Sequence, residues 1–261
     1  MNQQDIHGAA AILWQHWQQS TRLDELPARC RPGTRAAAYA IQAEVAKLSG
    51  QGIVGWKIAA TSAAGEQHIR VAGPIAGCLL SARALEGGAR ISLAGNHMKV
   101  AEAEFAFRMG KRLPKRAESY SVIEVLDAVA SLHPAIEVPD SRYNDFTRVG
   151  AEQLIADVAC ACWFVLGPAT RTDWRARDLA QHSVAAYRNG ALAGQGSGAN
   201  VLGDPRSALA WIANELSAYG DGLRAGDVVI TGTCLTPVPI VAGDSVKADF
   251  GEFGALEVGF S

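Results

Sequence analysis

The chain lacks most features that would place it in a specialised class at sight. No apolar run reaches 18 residues, so the sequence predicts no membrane-spanning helix. The opening stretch "MNQQDIHGAAAILWQHWQQ" has neither the basic start nor the long apolar segment of an export signal, and a cytoplasmic location is the expectation. Neither sign of charge dominates: 24 basic residues face 26 acidic ones, for a net charge of −2. No global field therefore favours nucleic acid or an anionic membrane as partner. Cysteine is sparse, odd in number and scattered (Cys30, Cys78, Cys160, Cys162, Cys234), which suits reduced thiols better than a disulfide framework.

Common site motifs are missing too. The six histidines show no HxH or HxxxH spacing, and Cys160-Ala161-Cys162 has no second cysteine pair, so zinc has little to bind. Those two cysteines are expected on a strand, buried. No P-loop and no GxSxG elbow occur. The glycines at 194, 196 and 198 follow a hairpin, and the next helix opens only at Asp204, which does not match a dinucleotide fingerprint. Cys234 has no histidine in a recognisable relation to it.

What is present is a 261-residue chain with 49% apolar residues, enough for a sizeable core. Helical spacing predicts helices over 4–20 and over 34–49, the second capped by Thr34 and ended by Gly50. Beyond residue 50 the texture turns to strands separated by Gly and Asn. The spacing predicts a helix over 119–132 and then a short strand, "HPAIEVPD", stopped by Pro139. Asn189-Gly190 predicts a tight hairpin turn. Asp204, Pro205 and Gly220 frame the clearest helix, and the tail reads as strands and turns. The organisation expected is a helical segment, 1–50, packed on a β-rich catalytic domain, 51–261.

The stretch "KVAEAEFAFRMG" raises a chemical question. Alternation along a strand puts Glu102 and Glu104 on one face and Ala103, Phe105 and Phe107 on the other. Two carboxylates roughly 6.5–7 Å apart on a shielded face repel and raise each other's pKa. A shared proton, basic neighbours or a bound cation would offset that cost. A third acid, Glu137, lies in another apolar segment, with Asp140 beyond Pro139. Three oxygen ligands on short strands suit Mg²⁺ or Mn²⁺; the alternative is a solvent-facing strand with Glu137 unrelated. Lys57, between Trp56 and Ile58, is either a paired buried base or an edge lysine reaching water.

Six segments in order resemble one family. They are "AYAIQ" (38–42), "GWKIAATS" (55–62), "AEAEFAF" (101–107), "PAIEVPDSRY" (134–143), "SGANVLGDPRSALAWIANEL" (197–216) and the glycine-bearing tail. They are similar to the hydratase/decarboxylase branch of the fumarylacetoacetate hydrolase superfamily. The resemblance implies an α+β fold, a mixed β-sandwich roll with peripheral helices, assembled into homo-oligomers. It implies Glu102, Glu104 and Glu137 as ligands of Mg²⁺ or Mn²⁺, and Lys57 as catalytic acid/base. Arg142 and Thr233 become expected contacts of a small 2-oxo acid substrate.

The implied reaction is hydration of a 2-hydroxydienoate such as 2-hydroxypenta-2,4-dienoate, in aromatic catabolism. Decarboxylation of a 2-oxo-3-enedioate and acylpyruvate-type C–C hydrolysis share the metal-held enolate and stay open. So does a non-catalytic accessory subunit paired with an active paralogue. Two departures bear on the choice. Ile75 stands where hydratases of this branch commonly carry an Asp implicated in proton transfer, and Asp157-Val158-Ala159-Cys160 stands where they often read "DNAS". His68, in the same loop as the lost acid, is the stand-in proton donor considered.

Overall fold

The computed structural model describes residues 1–261. The chain opens with helices α1 (Gln3–Gln19) and α2 (Arg35–Ser49), then β1 (Ile53–Ala59), α3 (Ala63–Ile69), β2 (Ile75–Leu80), β3 (Ala84–Glu86), β4 (Arg90–Ile91) and β5 (Val100–Met109). There follow β6 (Leu113–Pro114), α4 (Val122–Asp127), β7 (Val129–Val138), α5 (Ala151–Ala156), β8 (Trp163–Leu166), β9 (Ser183–Arg188) and β10 (Ala191–Ser197). The last part is α6 (Pro205–Tyr219), β11 (Gly222–Leu223), β12 (Val228–Thr233), β13 (Val238–Pro239), β14 (Ser245–Asp249) and β15 (Ala255–Phe260).

Local chemistry explains the well-framed elements. Thr34 accepts the Ala37 amide at the start of α2, and Gly50 closes it in left-handed backbone. Asp204 accepts the Arg206 amide and Pro205 takes the first helical position of α6. Asn189 and Gly190 both have positive φ (52° and 80°), as a tight turn between β9 and β10 requires.

The larger sheet runs β2-β1-β12-β5-β7-β8-β3, with β13 added on β5; the smaller runs β10-β9-β14-β15-β4. Pairing is mixed: β1 lies parallel to β12 and antiparallel to β2, and β5 lies antiparallel to β7 and β12. Alternation along β5 divides the interior. Ala103, Phe105 and Phe107 share one core with Val246, Phe250 and Phe260 of the smaller sheet region, which makes the sandwich. Ala106, on the opposite face, joins a second core with Leu13, Ile41 and Val45 of α1 and α2. Phe105 and Phe107 are fully buried, each worth about 2–3 kcal/mol of apolar transfer. The glutamates of β5 therefore belong to the helix-covered face, and α1 and α2 share a continuous core with the sheet.

Two sequence expectations need correction. The helix expected over 119–132 is only Val122–Asp127, capped by Ser121 in a reciprocal box with Glu124. Val129–Leu132 has helical spacing but extends β7 to ten residues, because pairing with β5 from Met109 to Glu102 outweighs local preference. Cys160 and Cys162 do not alternate on a strand: Cys160 sits in a tight turn and β8 begins only at Trp163. Both are buried, as expected.

Candidate metal centre

Register assembles the acids. Glu102 pairs directly with Glu137 across β5 and β7, so the two point to the same face, and Glu104 follows two residues along it. One ligand oxygen from each of the three lies within 4.8 Å of the others. Glu104 and Glu137 are fully buried and Glu102 is partly buried. β1 brings in Lys57, whose Nζ stands 3.2 Å from Glu137 Oε2 and donates to the Ala159 carbonyl at 3.0 Å. The carboxylate oxygen lies within ion-pair range of the ammonium but outside hydrogen-bond geometry, so Glu137 keeps both oxygens without a donor.

Opposite Glu104, β12 bulges between Ile230 and Thr233, and Gly232 takes φ 103°. The bulge turns the Gly232 amide to donate to Glu104 Oε2 at 2.6 Å. A Cβ at Gly232 would overlap the Thr61 side chain, so the turn needs glycine on two counts. Glu104 Oε1 has no donor.

Electrostatics follow from this crowding. Burial, then the charge of Glu137, push the Glu102 carboxyl up to about 7, against the opposing pull of Lys57 and His68. Burial, then Glu137 and Glu102, hold the Glu104 carboxyl well above the ordinary carboxylate range. Burial also raises Glu137, with Lys57 opposing. For Lys57 burial is the largest influence and favours the neutral amine, but Glu137 and Glu102 outweigh it and raise its pKa overall. The ammonium is therefore kept, and the carboxylates are short of positive charge.

That deficit tests the fit of a metal. Three buried carboxylate oxygens without hydrogen-bond donors would be costly as they stand. An all-oxygen set of this kind fits a hard divalent cation with waters or substrate in its remaining positions. Glu102, Glu104 and Glu137 are the residues that would hold it.

The other predicted residues fall in different places. Thr233 is the register partner of Glu104, on the rim of the cluster, with its hydroxyl donating to the Leu235 carbonyl at 2.7 Å. Arg142, the other expected substrate contact, is turned away from solvent. It is 1% exposed, and its guanidinium pairs with Asp157 and donates to the carbonyls of Asp140, Ala161 and Asp157. Asp140 is also outside the cluster, paired with Arg22. Burial raises the Cys234 thiol, which leaves no ready thiolate there. A separate cavity of about 900 Å³, bordered by Arg108, His133 and Arg224, holds none of the predicted site residues.

Ile75 pairs with Ala59 on β2 two residues from the Gly77–Lys57 pair, so it shares the Lys57 face and is fully buried. An acid there would stand near the lysine; isoleucine moves no proton. His68 is exposed on α3, edge-on to Phe146 at 5.8 Å between ring centroids, and is close enough for its charge to bear on Glu102. Sequence reasoning missed α3, the Gly232 amide and the partnership of Asp157 with Arg142. The glycine between two threonines in "TGT" was the only local signal for the bulge.

Fold and cluster together define a class: a mixed β-sandwich roll with three clustered carboxylates beside a lysine, a set that fits a divalent cation. The chain belongs to the fumarylacetoacetate hydrolase family, whose C-terminal model matches residues 59–260. It is 34% identical over 229 residues to a 2-hydroxyhexa-2,4-dienoate hydratase of Comamonas testosteroni, covering 86% of this chain and 85% of that one. It is 33% identical over 237 residues to a 2-keto-4-pentenoate hydratase of Burkholderia vietnamiensis, covering 89% and 88%. Among solved structures, the 4-oxalocrotonate decarboxylase of Pseudomonas putida G7, complexed with magnesium and adipate, superposes with a TM-score of 0.90. That match is 26% identical and covers 100% of this chain and 99% of the decarboxylase.

Proposed function

We propose that the protein is a lyase, a divalent-metal-dependent hydratase that adds water to a small 2-hydroxydienoate such as 2-hydroxypenta-2,4-dienoate. The observation that carries this reading is the set of three carboxylates within 4.8 Å, short of donors and flanked by Lys57. Hydratases among the relatives point to the reaction class. Mg²⁺ is the ion we assign, with Mn²⁺ as the alternative of similar chemistry. When bound, a divalent cation supplies Lewis-acid stabilisation of the negative charge that develops on the C2 oxygen of a 2-oxo acid.

The chain's own residues do the rest. Glu102, Glu104 and Glu137 would hold the ion, and the Gly232 amide fixes the orientation of Glu104. Lys57, kept as an ammonium beside Glu137, exchanges a proton with the substrate during ketonisation of the dienol. Thr233 borders the space for the substrate carboxylate. Ile75 has no proton to give, so proton transfer at the far end of the substrate falls to a group outside β2, and His68, close enough for its charge to bear on Glu102, is our assignment. Five free, buried cysteines accord with a reducing, cytoplasmic setting, and the homo-oligomer we assign would be checked by sedimentation of the purified protein.

The test is proton NMR of 2-hydroxypenta-2,4-dienoate with purified protein and Mg²⁺, against an EDTA control. Metal-dependent appearance of 4-hydroxy-2-oxopentanoate is expected. Ketonisation without hydration would sink the reading. A second reading, decarboxylation of a 2-oxo-3-enedioate, is favoured by the loss of the Asp at Ile75 and by the structural likeness to the decarboxylase. Release of CO₂ from that substrate class, with no hydration of the dienoate, would establish it instead.

A further inference from the structure

Behind Lys57 the backbone adopts an unfavourable course. Val158, Ala159 and Cys160 all take left-handed conformations, with φ of 47°, 51° and 62°, and none is glycine. L-residues visit this region singly and at a cost, a β-branched valine least of all. Three in succession persist only where the surroundings over-determine them.

The surroundings do so completely. Every backbone carbonyl from Asp157 to Ala161 accepts a hydrogen bond. The Asp157 carbonyl accepts from the Cys160 amide at 3.0 Å and from Arg142 Nη2 at 2.5 Å. The Val158 carbonyl accepts from the Ala161 amide at 3.0 Å, and the Cys160 carbonyl from the Asp140 amide at 2.9 Å. Arg142 Nη1 donates to the Ala161 carbonyl at 3.1 Å. The fifth, at Ala159, accepts from Lys57 Nζ at 3.0 Å. Asp157 anchors the assembly: its carboxylate accepts from Ser141 Oγ at 2.7 Å, from the Arg142 amide at 3.0 Å and from Arg142 Nε. On the other flank Gly77, the register partner of Lys57, lies so close to the Val158 carbonyl that a Cβ would overlap it.

An ammonium has three donors. Beside an unshielded Glu137 it would settle among the carboxylates unless something held it back. We propose that Asp157 and Arg142 are positioning residues for Lys57: they clamp the left-handed turn so that the Ala159 carbonyl fixes the ammonium beside the acidic cluster and leaves a donor for substrate. This rests on Lys57 being the acid/base of the proposed reaction. It also explains how the family's amide and hydroxyl can be absent at Val158 and Cys160, since the working group of the turn is a backbone carbonyl.

A residue that acts only through Lys57 has a kinetic signature. Steady-state kcat and KM with 2-hydroxypenta-2,4-dienoate and Mg²⁺, or with the enedioate if that proves the substrate, are compared in the native chain, Lys57→Ala, Asp157→Asn and the double variant. Asp157→Asn is expected to lower kcat about tenfold to a hundredfold, with KM within about twofold and the calorimetric Mg²⁺ affinity unchanged. In the Lys57→Ala background the same substitution should cost less than about twofold, because the group it serves is gone. Equal losses in both backgrounds, or a rise in KM with kcat preserved, would overturn the proposal and leave the Lys57 assignment standing. A native rate in Lys57→Ala would remove both. If Asp157→Asn fails to fold, Ser141→Ala takes its place in the cycle, with a loss of severalfold expected only where Lys57 is present.

Discussion

Two buried charged clusters lie back to back in this molecule, and they are solved in opposite ways. Around Arg142 the charges are matched: Arg142 faces Asp157, Arg22 faces Asp140, and apart from Arg22 Nε the surplus donors go to backbone. Around Glu104 three carboxylates face one ammonium, and three buried oxygens go without a donor. The first cluster needs no ligand and braces the turn on which Lys57 rests. The second is incomplete as protein alone, and its incompleteness is the mark of a site. Burial of charge by itself did not distinguish them; the balance of charge did, three carboxylates to one ammonium against one partner for each charge.

Breaking the incomplete cluster should be felt first in catalysis. Glu104→Gln keeps the shape and loses a ligand charge, and turnover should fall by about a thousandfold or more while the fold survives; EDTA should do the same to the native chain. A steady-state assay with a circular-dichroism spectrum of each sample checks it. Undiminished turnover in Glu104→Gln would remove the residue from the metal set.

Breaking the charge-matched cluster should be felt in stability as well as in the rate that Lys57 supports. Arg142→Ala leaves Asp157 as an uncompensated buried charge and should cost about 3–5 kcal/mol in urea unfolding. Glu102→Gln in metal-free protein should cost nothing there, and above pH 7 should stabilise, because it removes a repelled carboxylate. If the two substitutions prove equally destabilising, the contrast between the clusters fails.

The gentlest probe is pH. Glu102 titrates at about 7 in the folded, metal-free chain, above its ordinary value, so the folded state holds the proton more tightly than the unfolded one. The contribution of Glu102 to metal-free stability should therefore fall as pH rises from the ordinary carboxylate range through about 7, and level off beyond. Cation binding displaces the proton, so Mg²⁺ affinity should weaken about tenfold per pH unit for each proton displaced below that point. Calorimetric titrations at pH 6 and pH 8 would show it; equal affinities would mean that the carboxylates are already ionised without metal.

The sequence by itself determined the elements whose signals are local. Alternation in "AEAEFAF" placed two acids on one face of β5, and caps and turn residues framed α2, α6 and the β9–β10 hairpin. Six ordered motifs were enough to expect the sandwich roll, and the acids within them enough to expect the ligands. Only the tertiary structure decided matters that depend on which strands lie side by side. Pairing of β5 with β7 brought Glu137 to Glu102 across 35 residues of chain and converted the end of an expected helix into strand. The bulge at Gly232 turned an amide toward Glu104, and the fold turned Arg142 inward onto Asp157. An arginine's partner is set by geometry at long range, and no spacing in the sequence records it; a strand's two faces are set by the period of the chain itself, which is why they could be read.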